Sequence, residues 1–141
     1  MLYFGRSPWL KSQVYALRQA VFVEEQKIPA ALEFDHLDQT CPYYLWMVND
    51  LPIATVRYQF ERPKILQPDR LCVASDYRHQ GYGQQLLSLL EERGLREGAE
   101  EAILSAEISA SAFYLACGYH ICSTPFLEDG LPCVKMTKTL K

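Results

Sequence analysis

The sequence has no long apolar run, no strong excess of one charge and no metal-ligand spacing, and each absence removes a class of function. No stretch approaches the roughly 20 apolar residues that cross a bilayer, and Met1–Arg6 lack the basic and long apolar segments of a secretory leader. A soluble, cytoplasmic protein without a membrane partner is therefore expected. Fourteen basic residues stand against seventeen acidic, a net charge of −3. That balance lacks the basic footprint that nucleic-acid phosphates demand, so no nucleic acid is expected as a partner. The five cysteines (Cys41, Cys72, Cys117, Cys122, Cys133) are odd in number and show no C-x-x-C, and the three histidines form no H-E-x-x-H. Reduced thiols and no metal are the expectation. There is no repeat, low-complexity tract or Gly/Ser linker.

What is present is 141 residues, 49% hydrophobic and 12% aromatic. That is enough for one core and short for two, so a single domain over residues 1–141 is expected. Ser7-Pro8 is a helix start, and Leu10, Val14, Leu17 and Val21 follow at helical spacing until Pro29. Residues 33–38 read as an acidic loop. Tyr43–Val48 and Ile53–Phe60 read as a hairpin about the turn 49–52. Pro63 and Pro68 bracket a loop before a short strand at Arg70–Ala74. A leucine-rich helix then runs from a glycine-containing turn to Gly98. Ala102–Ala106 is a buried-looking strand. Ser109 or Ser111 caps a short helix that Gly118 stops, and Tyr119–Ser123 and Cys133–Thr137 are the last strands. The order describes one mixed α/β domain.

The most informative segment is Arg78-His79-Gln80-Gly81-Tyr82-Gly83, between the strand at 70–74 and the leucine-rich helix. A helix N-terminus offers unpaired N–H groups and partial positive charge to a phosphate. Glycines let the backbone approach the anion, and Arg78 adds a forked cation. The spacing alone also fits a tight turn that holds nothing. It is not a P-loop, for no G-K-[ST] follows, and Leu86 stands where a dinucleotide fingerprint needs its third glycine.

Residues Leu71 to Leu87 resemble the acetyl-CoA signature of the GNAT superfamily of N-acetyltransferases. Ser111-Ala-Phe-Tyr-Leu-Ala-Cys-Gly-Tyr119 is similar to its later helix. Leu17 to Gln26 and Phe126 to Pro132 resemble the ElaA-like branch. The resemblance implies a central, mostly antiparallel twisted sheet, splayed at one edge and flanked by helices, with the pantetheine arm of the coenzyme in the opening. It implies an N-acetyltransferase with acetyl-CoA as co-substrate and an amine acceptor, a small molecule or a protein. Backbone groups at Leu71, Cys72 and Val73 would bond the pantetheine, and the turn at Arg78, His79, Gln80, Gly81, Tyr82, Gly83 and Gln84 would hold the pyrophosphate. A homodimer is left open. The alternative is a coenzyme-A-binding regulatory module without turnover.

Acetyl transfer needs a neutral amine, a stabilised oxyanion and a proton for the departing thiolate. A backbone N–H near Val73 is the implied oxyanion donor. Tyr114 stands at the family's proton-donating tyrosine, and at ~100° per residue it lies away from a stripe of Ser111, Ala112, Phe113, Ala116 and Cys117. A packed tyrosine is the other reading. Glu107 replaces the family's usual Asn or Gln on the coenzyme arm. It reads as a base, a cation site or a cap for the next helix. Glu25 matches the branch's E-Q pair beside the acceptor, with Glu24, Glu33, Asp35, His36 and Asp38 nearby in sequence. That cluster reads either as a lure for a cationic amine or as a solvated acidic loop. Cys72 beside a thioester is read as a small strand residue rather than a nucleophile, since no base adjoins it. Cys133 stands where the branch often has histidine.

Overall fold

The computed structural model, which describes residues 1–141, contains eight strands and four α-helices. The strands are β1 (Leu2–Gly5), β2 (Tyr43–Val48), β3 (Leu51–Arg62), β4 (Ile65–Val73), β5 (Glu101–Glu107), β6 (His120–Ile121), β7 (Phe126–Glu128) and β8 (Leu131–Thr139). The helices are α1 (Pro8–Arg18), α2 (Ala30–Glu33), α3 (Tyr82–Arg96) and α4 (Ser111–Ala116). The strands form one open, mostly antiparallel sheet in the order β1-β2-β3-β4-β5-β8-β6, with β7 also on β8. The fold is mixed α/β, as the sequence leads one to expect. No helix is long and apolar enough to cross a membrane. By its contacts the chain divides into two units, Met1–Gln59 with Arg70–Leu90 and Phe60–Asp69 with Glu91–Lys141.

In the first unit, Ser7 caps α1 by accepting the Leu10 N–H at 3.2 Å, and Pro8 opens the helix. Leu10 and Val14 pack on Tyr43, Leu45 and Met47 of β2, while Leu17 and Val21 pack on Cys72 of β4. Trp46 points to the opposite face of β2, where its ring meets Tyr82 at the start of α3, 5.9 Å between centroids. Helix α1 and the start of α3 therefore cover opposite faces of this sheet. After Arg18 the helix widens into a π-helical segment, Gln19–Glu25, a feature common at functional sites. The β2–β3 hairpin closes on Asn49 and Asp50, with φ of 51° and 63° as a type I′ turn requires.

One strand is added and two expectations change here. Strand β1, too short to announce itself, pairs with β2 from Leu2↔Trp46 to Gly5↔Tyr43. Pro68 lies inside β4 rather than in a loop; two residues later Arg70 has φ 54°, a local irregularity of the kind at which strands tolerate proline. Residues 35–38 form a capping box on a short 3-10 helix, His36–Gln39, and not an irregular loop.

In the second unit, β5 starts parallel to β4 at Ile65↔Glu101 and Leu66↔Ala102, then pairs antiparallel with β8 to Glu107↔Cys133. Its Ala102, Leu104 and Ala106 are buried, while Ile103, Ser105 and Glu107 are half-buried. Gly94 allows α3 to press against Leu66: a Cβ there would stand 2.6 Å from Leu66 Cδ2. Neither expected serine caps α4. Its N-cap is Ala110, and the Ser111 hydroxyl donates to the Ile108 carbonyl at 2.7 Å. At the other end Lys138 Nζ donates to the Cys117 carbonyl (2.9 Å) and to Glu91 (2.7 Å), which also accepts from the buried Tyr119 hydroxyl at 2.8 Å.

Candidate active site

Strand β4 delivers the chain through a short 3-10 turn, Ser75–Tyr77, into the segment 78–83. His79 (φ 63°) and Gly81 (φ 89°) both adopt the left-handed conformation, which folds the backbone back on itself before α3 begins at Tyr82. The Gln85 N–H bonds the Gly81 carbonyl at 3.0 Å, so Gly81 is the N-cap. The N–H groups of Tyr82, Gly83 and Gln84 consequently have no acceptor within the helix. A Cβ at Gly81 would meet nothing within 4 Å. The mouth of the turn is open, and the amides of a fifteen-residue helix face it. Gln80 and His79 are exposed, and Gln80 Nε2 donates to the Asp76 carbonyl at 3.2 Å, tying the turn to its own base.

Just upstream, the Ala74 N–H bonds the Ile53 carbonyl of β3 at 2.8 Å. Alternate residues of an antiparallel strand address the same neighbour, so Val73 turns its N–H and C=O away from β3. Its carbonyl accepts from Arg78 Nε at 2.9 Å. The rest of that guanidinium grips Glu25 in a fork, 2.6 and 2.7 Å. The Arg78 expected to reach outward to a phosphate is instead tied to Glu25 and to Val73. Glu25 is a poor base in this state: the hydrogen bonds from Arg78 lower its carboxyl below the usual range, against a smaller opposing effect of burial. The Cys72 thiol is buried, and burial pushes its pKa well up, which makes it an inert packing residue.

Glu107 and Tyr114 belong to the second unit. Glu107 ends β5, half-buried, and makes no side-chain cap to the turn that follows, so the capping reading is set aside. The expected apolar stripe on α4 is also corrected. Ala112, Phe113 and Ala116 are exposed; Ser111, Tyr114 and Cys117, three apart, form the inward face. Tyr114 packs edge-on against Tyr119, 6.0 Å between ring centroids, and Tyr119 is fully buried. Six residues are too few for an angular argument once a buried neighbour fixes which side faces in. Cys133 is buried opposite Glu107, and burial, then Glu128, Glu107 and Asp129, raise its thiol pKa.

A family model for an acetyltransferase (GNAT) domain matches residues 21–140. The chain belongs to the GNAT family of acetyltransferases. The uncharacterized N-acetyltransferase YjcF of Bacillus subtilis is 32% identical over 130 residues, 92% of this chain and 91% of the relative. A crystal structure of a "putative N-acetyltransferase" from Lactobacillus plantarum is 39% identical, with a TM-score of 0.94 over 100% of this chain and 98% of that one. Escherichia coli ElaA superposes with a TM-score of 0.87 at 25% identity, over 98% and 99% of the two chains. The resemblance read from the motifs thus extends over the fold.

This GNAT chain also contains a charged cluster that the sequence reading missed. Arg18 and Arg57, both fully buried, meet Asp38: Arg18 Nη1 at 2.5 Å and Arg57 Nη1 at 3.0 Å, with the Tyr43 hydroxyl donating to the same carboxylate. Arg18 Nε also holds Glu33 at 2.8 Å, and Arg57 holds Asp35 at 2.7 and 3.2 Å. Arg70 reaches Asp35 at 3.2 Å and Glu33 at 3.4 Å. Glu33, Asp35 and Asp38 are therefore neither a solvated loop nor a lure for a cationic amine, because three arginines already neutralise them. Glu24 and His36 stay exposed. The signal for the cluster was Arg18 itself, four residues past Val14 and so on the apolar face of α1.

Proposed function

We propose that this GNAT chain transfers the acetyl group of acetyl-CoA to an amine, of a small molecule or a protein, by direct attack within a ternary complex. The observation that carries the reading is the open turn at Gly81, with three helix N-terminal amides behind it and the outward-turned Val73 immediately before it. That arrangement suits a pyrophosphate and the chain attached to it: a concentrated anion meets unpaired N–H groups and a helix dipole. Bound there, acetyl-CoA supplies an activated thioester.

In this reading the protein's own groups take the roles that the GNAT resemblance implies for them. Val73 donates its N–H to the thioester oxygen as negative charge gathers there. The Tyr114 hydroxyl gives a proton to the departing sulfur. Glu107, a carboxylate where an amide is usual in the family, holds the amine or accepts its proton. Glu25 keeps Arg78 folded against the Val73 carbonyl and so stabilises the turn. The buried, protonated Cys72 favours direct transfer over an acyl-enzyme.

Thiol release from acetyl-CoA with a panel of amines, confirmed by product mass, tests the reading. Release with no amine in the panel, alongside tight coenzyme binding, would favour a regulatory module instead. Tyr114→Phe tests the acid: kcat should fall roughly 10- to 100-fold, toward the low end of general acid catalysis, with coenzyme A affinity nearly unchanged. A normal kcat removes Tyr114 from the chemistry.

A further inference from the structure

Arg70 combines two features that seldom coincide: a left-handed backbone inside a strand and a guanidinium held on several sides. Its φ of 54° is costly for a residue with a Cβ and persists only where the surroundings enforce it. The enforcing contacts are on the side chain. Arg70 Nε donates to the Glu33 carbonyl at 3.1 Å and lies 3.4 Å from Glu33 Oε2. Nη2 donates to the Leu32 carbonyl at 3.3 Å and to Asp35 Oδ2 at 3.2 Å.

A positive φ inside a strand interrupts the regular alternation of side chains and peptide groups, so the direction that Leu71, Cys72 and Val73 take after the kink depends on the conformation held at Arg70. Beyond the kink Cys72 packs against Leu17 and Val21 of α1.

We propose that Arg70 is a positioning residue: clamped by Leu32, Glu33 and Asp35, it holds the kink that aims the Val73 N–H at the thioester oxygen. The aim at the thioester rests on the function proposed above; the hold on the strand does not.

Arg70→Gly permits the positive φ but removes the clamp, whereas Arg70→Ala removes both. If the clamp matters, the two variants behave alike. In the ligand-free protein the amide NMR signals of Cys72 and Val73 should shift and exchange faster in both, while those of Tyr82–Gln84 stay in place. In turnover, measured well below each variant's Tm, kcat should fall roughly 10- to 100-fold, as small misplacements at a reacting centre do. Arg70→Lys should recover part of the loss, since one ammonium reaches fewer of these acceptors. Unchanged Cys72 and Val73 signals in Arg70→Gly, or a wild-type kcat, overturns the proposal. A wild-type protein that binds no coenzyme A overturns the link to catalysis alone, and the amide signals still decide the hold on the strand.

Discussion

The Arg18 cluster and the Glu25–Arg78 pair draw their carboxylates from one acidic stretch, residues 25–38, yet they are opposites in physical terms. The side chains of Arg18, Glu33 and Asp38 are 0%, 4% and 8% exposed; those of Arg78 and Glu25 are 33% and 43% exposed. In the first set Arg18, Glu33 and Asp38 have left water, and the loss is offset only because each carboxylate meets more than one partner. In the second, water competes for both ions, and the pair can open at little cost. Buried charges shape the segment around residues 30–38, whereas the exposed pair sits beside the turn proposed to seat the coenzyme.

The largest effect is expected where a buried partner is removed. Asp38→Ala leaves Arg18 and Arg57 facing each other without their shared carboxylate and should cost about 3 to 5 kcal/mol, read from urea unfolding. A loss below about 1 kcal/mol would mean that the cluster behaves like a surface pair and would break the comparison.

Acid should expose the same contrast. Burial alone would raise the Asp38 carboxyl, but hydrogen bonds from Arg18 and Tyr43 outweigh it and bring the pKa down to about 2. The folded value lies below the unfolded one, so the unfolded chain binds more protons in between. Asp38 thus contributes stability that is full above about pH 4 and is lost as pH falls toward 2. Glu33 acts in the opposite sense: burial raises its carboxyl despite Arg18, so its contribution declines as pH rises through its folded value. Wild type should lose stability below pH 4 more steeply than Asp38→Asn. Parallel curves would show that Asp38 is not the group being titrated.

Glu25→Gln should have the smallest effect on stability, within about 1 kcal/mol and shrinking further in high salt. Its coenzyme A affinity should hold or rise a few-fold at low ionic strength, because Arg78 no longer neutralises a carboxylate beside the turn. Calorimetry at two salt concentrations checks this. A stability loss as large as that of Asp38→Ala would put the two sets in one class.

The same contrast explains what could be read in advance. Leu10, Val14, Leu17 and Val21 repeat with the period of a helix, and Gly81 stands where the backbone turns through a positive φ, so α1 and the turn at residues 78–83 are legible locally. The partners of Arg18 lie on α2, the 3-10 turn and β3, and no local period reports a pairing between distant segments. The acidic stretch therefore read as one cluster when burial divides it in two. Arg78 was legible as a functional arginine but not its grip on Glu25. On α4 the stripe through Phe113 does not face inward, because six residues follow their neighbour Tyr119 rather than their own periodicity.

Whether the turn at Gly81 seats the coenzyme is tested by one titration: coenzyme A binding by calorimetry to the wild type and to Gly81→Val. Valine at φ 89° is strained and places a branched side chain over the helix amides. The account predicts saturable binding to the wild type and at least a tenfold weaker Kd in the variant, about 1.4 kcal/mol, with the circular-dichroism spectrum of the fold retained. Equal affinities in the two folded proteins would contradict it.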